Sequence, residues 1–166
     1  MTMNEAHENT TLLPEHPARM DWAKLAPEAF KALLRLDSAA GRGVDAGLLH
    51  LVKVRASQIN HCAFCLDMHS KDALAAGESA ERVIQLGAWT EAKHFYTARE
   101  VAAIELTEAI TAVTDGFVPD EVYARAAEQF DETELAHLIA AIVAINAFNR
   151  VGISTRMVPG HYTPSA

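Results

Sequence analysis

Across residues 21–151 the apolar side chains return every three or four positions, and β-branched alternation is almost missing. That is the period of an α-helix with one face turned to a core, and it predicts an all-α fold. Phe30, Leu33, Leu34 and Asp37 follow the face of a first helix. The glycine-bearing segment 41–47 then interrupts the rhythm. It lacks a Gly-Lys-Ser/Thr ending, so it is a connection and not a phosphate-binding loop. A second helix is predicted over 44–57, with Leu48, Leu51, Val52 and Arg55 on one face. A third runs from Cys62 to Gly77, a residue suited to a left-handed cap. Ser79 can cap a helix that continues to about Trp89. Thr97 with Glu100, and Asp131 with Glu134, have the spacing of capping boxes, and Pro119 suits the first turn of another helix. The last helix, predicted over 132–151, is apolar on most sides, so it belongs at the centre of the core or in a subunit contact.

The chain has 166 residues, the size of one domain, and half of them are hydrophobic, which excludes a disordered polymer. Residues 1–19 form a polar lead-in broken by Pro14 and Pro17, 20–160 a helical domain, and 161–166 a tail. The formal charge is −8, with no run of basic residues, which argues against nucleic acid and anionic membranes. Lys53, Arg55, Lys71 and Arg82 are the candidates for a local basic patch. The longest uninterrupted apolar stretch, 138–145, is far short of the ~20 residues that span a bilayer. The N-terminus shows no basic flank followed by an apolar run, so no signal peptide is expected and the cytoplasm is the expected location.

The two cysteines are three residues apart, in Cys62-Ala-Phe-Cys65-Leu-Asp-Met-His69. A pair so placed is a redox or metal motif, not a secreted disulfide framework. On a helix starting at Cys62, Cys62, Cys65 and His69 share one face, and His69 is one turn from Cys65, able to take its proton directly or through a water. The helix N-terminus favours thiolate over thiol. A thiolate that reacts with a peroxide becomes a sulfenic acid, and the neighbouring thiol condenses with that to a disulfide. Two buried structural cysteines, or a metal site, are the rival readings.

The other candidates are weaker. His61 reads as a capping or rim residue, His94 as a solvated or interface residue, and His137 as a buried, hydrogen-bonded histidine. Asp67 is expected to face solvent. Asn146 and Asn149 are expected to hydrogen-bond between helices, as buried amides must. Trp22, Trp89 and Phe148 read as core or interface anchors.

The stretch LVKVRASQINHCAFCLDMHSKDALAAGE, residues 51–78, resembles the core of the alkylhydroperoxidase AhpD-like branch of the carboxymuconolactone decarboxylase family. AINAFNRVGISTRMVPG, residues 144–160, is similar to its C-terminal segment. The resemblance implies an all-helical fold, a homo-oligomer, and a thiol-dependent antioxidant oxidoreductase that reduces hydroperoxides. It implies no tightly bound cofactor, and re-reduction by an external dithiol such as a lipoyl-bearing protein. Carried over by position, Cys65 resembles the peroxidatic thiol, Cys62 the resolving thiol and His69 the base. The family pattern has a glutamate twelve residues before the first cysteine, in a proton relay with the histidine, and here that position is His50. Phe64 fills a second position, where the relay has a histidine, and makes the surroundings more apolar. His50 leaves an alternative open: a member with weakened or lost peroxidase activity, acting as a structural oligomer or as a Cys₂His₂ metal site of His50, Cys62, Cys65 and His69. Lactone decarboxylation, suggested by the wider family name, finds no service for the cysteine pair.

Overall fold

The computed structural model describes residues 12–164. The first eleven residues of the expected lead-in and the last two of the tail lie outside it. Eight helices follow one another with no strand among the described residues: α1 (Trp22–Leu25), α2 (Pro27–Gly41), α3 (Ala46–Ile59), α4 (Ala63–Ala75), α5 (Ala80–Gln85), α6 (Ala98–Thr111), α7 (Asp120–Gln129) and α8 (Glu132–Thr155). Two 3₁₀ turns, Leu86–Ala88 and Lys93–Phe95, link α5 to α6. The all-α expectation holds.

The helix starts follow local chemistry. Asp45 accepts from the Leu48 N–H, so α3 begins two residues later than its periodicity suggests. Both expected capping boxes form, at Thr97/Glu100 and at Asp131/Glu134. Pro119 stands as the N-cap of α7, one position before the expected first turn. Ser79 caps α5, but the α-helix stops at Gln85 and a 3₁₀ turn carries the chain on to Trp89. Gly77, with φ +94, follows the end of α4, where its lack of a Cβ is needed.

The helix α8 extends to Thr155, four residues beyond the periodic pattern, and packs against α2, α3 and α6. It is long and apolar enough to cross a membrane by composition, yet Leu138, Ile142, Ala144 and Ile145 are buried inside this protein. One core unites Leu48 and Val52 of α3 with Leu106 of α6, Phe130, and Leu138 and Ile142 of α8. A second joins Leu51 and Val54 to Leu86, Trp89 and Ile104. Helix α3 thus feeds both cores, and α4 lies along it, which fixes the cysteine-bearing turn. His137 is half-buried, its ring packed so closely on Gly43 that a Cβ there would lie 2.2 Å from Cγ. It fills a steric gap and is half-buried, where a buried, hydrogen-bonded histidine was expected.

Candidate active site

Cys62 is the N-cap of α4 and Cys65 the third residue of its first turn. The tight link from α3 creates this arrangement. Helix α3 ends at Ile59, His61 takes a left-handed conformation (φ 55), and the Cys62 N–H returns to the Ser57 carbonyl at 3.1 Å. His61 itself is exposed, consistent with a rim role. Both thiols are free and buried, at 2% and 3% exposure. The Cys62 sulfur faces the backbone N–H groups of Phe64 and Cys65 without closing a well-formed cap hydrogen bond.

The two thiols support one negative charge between them. The Cys65 S–H draws the Cys62 pKa down to about 7, against the opposing effect of burial. The same interaction, together with burial, pushes Cys65 up. The pair therefore loses one proton near neutrality and holds the other tightly. The Asn149 side chain is turned to both sulfurs and favours charge on either. Asn149 is fully buried: its oxygen accepts from Asn60 at 2.9 Å and its amide donates to Ser57 at 3.1 Å. Asn146 likewise accepts from Asn60 and donates to Thr111. The expected inter-helix amide bonds are present, and the contact of Asn149 with sulfur adds to them.

Gly152 makes the approach of α8 to the thiols feasible. A Cβ at that position would lie 3.1 Å from the Cys62 sulfur and 3.5 Å from that of Cys65. A glycine inside an otherwise apolar helix costs about 1 kcal/mol relative to alanine, and that anomaly was the readable signal of a close contact.

Cys65 and His69 line a cavity of about 530 Å³ with mostly apolar walls. Phe64 and Met68 of α4, Phe30 and Leu34 of α2, and Phe148 and Val151 of α8 form much of it. Trp22, packed edge-on to Phe30 at 5.9 Å, and Met20 contribute from the N-terminal side. Trp22 and Phe148 are thus cavity walls beside a thiol, a role their composition alone did not reveal. Trp89 is a core residue, as expected. Arg156 ends α8 in a left-handed conformation (φ 58), and the turn carries Met157 and Val158 back over the cavity. The segment preceding α1 is anchored too: the Arg19 N–H donates to the Thr155 carbonyl at 2.8 Å.

His69 is 8% exposed, and burial drives its pKa down to about 3. Lys53 and His50 lower it further and Asp72 opposes them. At neutral pH the imidazole is uncharged. His50 does not reach the cavity of Cys65. It lines a separate hollow with Asp72 and Tyr162, and burial lowers its pKa as well. Among the described residues no group of three or more His, Cys, Asp or Glu side chains is placed to hold a metal ion. The four residues of the Cys₂His₂ alternative are therefore not brought together as ligands: His50 and Cys65 face different hollows.

The other candidates scatter. His94 is exposed against Phe95. Asp67 is not a free solvent-facing carboxylate, since it pairs with Lys71 at 2.9 Å and accepts the Gly160 N–H at 3.0 Å. The anticipated basic patch is absent: Lys53, Arg55, Lys71 and Arg82 pair with Asp37, Glu108, Asp67 and Glu100.

A buried Cys-x-x-Cys at a helix start, with a neutral histidine one turn on, is a specific arrangement, and comparison with known proteins agrees with it. Residues 27–109 match the carboxymuconolactone decarboxylase family. The chain belongs to this family. Within it, the protein falls in the AhpD-like branch. An uncharacterized protein of Bacillus subtilis (strain 168), YdfG, is 39% identical over 137 residues, covering 82% of this chain and 92% of that one. A crystal structure from Agrobacterium tumefaciens superposes with a TM-score of 0.84 at 33% identity, covering 88% of this chain and all of that one. That protein is of unknown function and is assigned provisionally to antioxidant defence as an AhpD. A peroxidase-related protein from Ralstonia eutropha JMP134, itself uncharacterized and described as an alkylhydroperoxidase AhpD core, shares the fold, with a TM-score of 0.72 at 17% identity over 84% of this chain and 74% of that one. In this carboxymuconolactone decarboxylase family member, the close thiol pair fits a peroxidase role.

Proposed function

We propose that the protein is a thiol peroxidase that reduces hydroperoxides with Cys65 as the attacking thiol, Cys62 as the resolving thiol and His69 as the base. The observation that carries this reading is the buried thiol pair with Cys65 and an uncharged His69 together on the wall of an apolar cavity. Cys62 is the more acidic thiol at rest, but Cys65 is the one that lines the cavity. Access governs which sulfur reacts.

The steps balance as follows. His69 accepts the Cys65 proton and the thiolate attacks the terminal oxygen of ROOH; the O–O bond breaks, and the departing alkoxide takes that proton back from His69 to leave as ROH. Cys65 is now a sulfenic acid. Cys62 attacks its sulfur, a disulfide forms and water departs. An external dithiol, oxidised in turn to its own disulfide, returns both cysteines to thiols by exchange. No bound prosthetic group enters this cycle. Self-association is part of the same reading, supported by Val143 and Ile153, which stand half exposed on α8, and light scattering well above 18.0 kDa would bear it out.

The test is a thiol count on reduced protein before and after one equivalent of an organic hydroperoxide. Loss of both thiols, reversed by a dithiol, is the expected result. A Cys62→Ser protein is expected to stop after one turnover with sulfenic acid trapped on Cys65. Thiols that stay titratable would overturn the reading.

His50 favours a second one. An uncharged imidazole at this position supplies no carboxylate to the relay, and a silenced or slowed member acting as a structural oligomer would follow. His50→Glu separates the two: a large gain in hydroperoxide consumption identifies the natural protein as a slowed member.

A further inference from the structure

A buried imidazole that accepts a thiol proton gains a full positive charge in a medium that solvates it poorly. Such a base works when a fixed carboxylate holds the ring in one tautomer and balances the charge as it appears. His50 cannot do this, and Lys53 opposes it. Asp37, across the cavity on α2, is already engaged with Lys53 at 2.8 Å. Asp21 lines the cavity from the segment before α1, where it caps that helix through Lys24.

Asp72 is differently placed. It stands three residues after His69 on α4, and its Oδ2 lies 3.9 Å from the imidazole Nδ1. Its other oxygen accepts from the Tyr162 hydroxyl at 2.6 Å, across 90 residues of chain. Tyr162 is held in turn, because Lys71 Nζ donates to its carbonyl at 3.0 Å and Asp67 accepts the Gly160 N–H. The C-terminal segment is therefore strapped along α4 by three side chains of that helix, and the Tyr162 hydroxyl orients a carboxylate next to His69. The 3.9 Å separation is too long for a hydrogen bond, but Asp72 lies on the Nδ1 side of the ring, and catalytic contacts of this kind tighten when substrate is bound.

We propose that Asp72, oriented by the Tyr162 hydroxyl, is the positioning residue for His69: it holds the proton on Nδ1, leaves Nε2 as the base, and balances the imidazolium formed during the reaction. The role of His69 as a base is taken from the proposed function, whereas the placing of its tautomer by Asp72 is independent of it. The C-terminal segment is then a functional part of the site. A truncation before Tyr162 would leave the thiols in place and loosen the base.

The experiment compares wild type, Asp72→Asn, Tyr162→Phe and a His69→Gln reference by long-range ¹H–¹⁵N correlation of the histidine rings, and by the rate of thiol loss to cumene hydroperoxide across pH 5–9. Wild type is expected to show His69 with its proton on Nδ1. Asp72→Asn is expected to move that proton toward Nε2 and to slow thiol loss about tenfold at unchanged hydroperoxide saturation. Tyr162→Phe is expected to shift the tautomer partway with a smaller loss of rate. Asp72→Glu should restore part of both. An unchanged tautomer in Asp72→Asn overturns the proposal, as does a changed tautomer with an unchanged rate. If Asp72→Asn fails to fold, Tyr162→Phe, which loses one hydroxyl, decides the matter by the same two readouts. If wild-type thiols ignore hydroperoxide, the peroxidase reading falls, and the tautomer alone still decides for or against Asp72.

Discussion

Helix α3 carries a polar cluster on each of two faces, and the two are built to different rules. On one face Arg55 grips Glu108 through Nε at 2.8 Å and through a terminal nitrogen at 2.7 Å, while its other arm reaches Gln58 at 3.0 Å. Trp89 adds its indole N–H to the same Glu108 oxygen at 2.6 Å. Nearby, Arg82 pairs with Glu78 and Glu100, and the buried Tyr96 hydroxyl donates to the Arg82 carbonyl. There every charge meets its opposite. On the other face lie Lys53 and His50, beside His69 and the thiols at the start of α4. Lys53 is paired, but among the described residues His69 has no carboxylate within hydrogen-bonding distance, and the two sulfurs share one proton's worth of acidity. The first cluster is saturated in charge, with only the Arg82 Nε left without a hydrogen-bond acceptor among the described residues, and it ties elements together. An unsaturated one beside a cavity retains bonding capacity for a reacting molecule.

Substitutions on each face test that contrast. The largest effect is expected from Cys65→Ser, which should abolish hydroperoxide-driven thiol loss while leaving the thermal midpoint nearly unmoved. Full activity in this variant would sink the assignment of the unsaturated face. Acid is next. Folded His69 binds its proton only near pH 3, whereas the unfolded chain binds it near 6.5, so stability falls as pH drops through that window. The slope is at most about 1.4 kcal/mol per pH unit from this group. Urea unfolding at several pH values should show His69→Gln with the flatter profile; parallel profiles would show that the imidazole is not buried neutral.

Glu108→Ala tests the saturated face. It leaves Arg55 and Trp89 without their shared acceptor and is expected to cost about 2 kcal/mol, below the range for a fully buried pair because Glu108 keeps some solvent. Thiol reactivity measured well below its melting temperature should not change. If it falls as much as stability does, the two faces are not independent. The smallest effect is expected from Tyr96→Phe, about 1 kcal/mol for one hydrogen bond, again with unaltered thiols. Iodoacetamide labelling across pH checks the other side of the contrast. Its rate should rise with a midpoint near the Cys62 value of about 7, and a midpoint near 9 would mean that the two sulfurs do not support one another.

What could be read from the sequence alone was what depends on neighbours within a turn or two. The capping boxes at Thr97 and Asp131, the spacing of Cys65 and His69, and the amphipathic stripes arise from groups a few residues apart, whose separation on a helix is set by 3.6 residues per turn. The interior amides Asn146 and Asn149 were legible for a related reason, since a buried amide on an apolar helix must find partners somewhere. Who those partners are was not legible. Asn60, Ser57 and Thr111 come from other helices, and only packing selects them. The same holds for the cavity walls, for the passage of Gly152 over both sulfurs, for the pairing of each lysine and arginine that had looked like a patch, and for Tyr162 on Asp72. Apart from Lys71 with Asp67 and Arg82 with Glu78, which are four positions apart, these pairings join residues 16 or more positions apart. Local periodicity determines which face a side chain occupies, and the docking of one helix on another decides what that face meets.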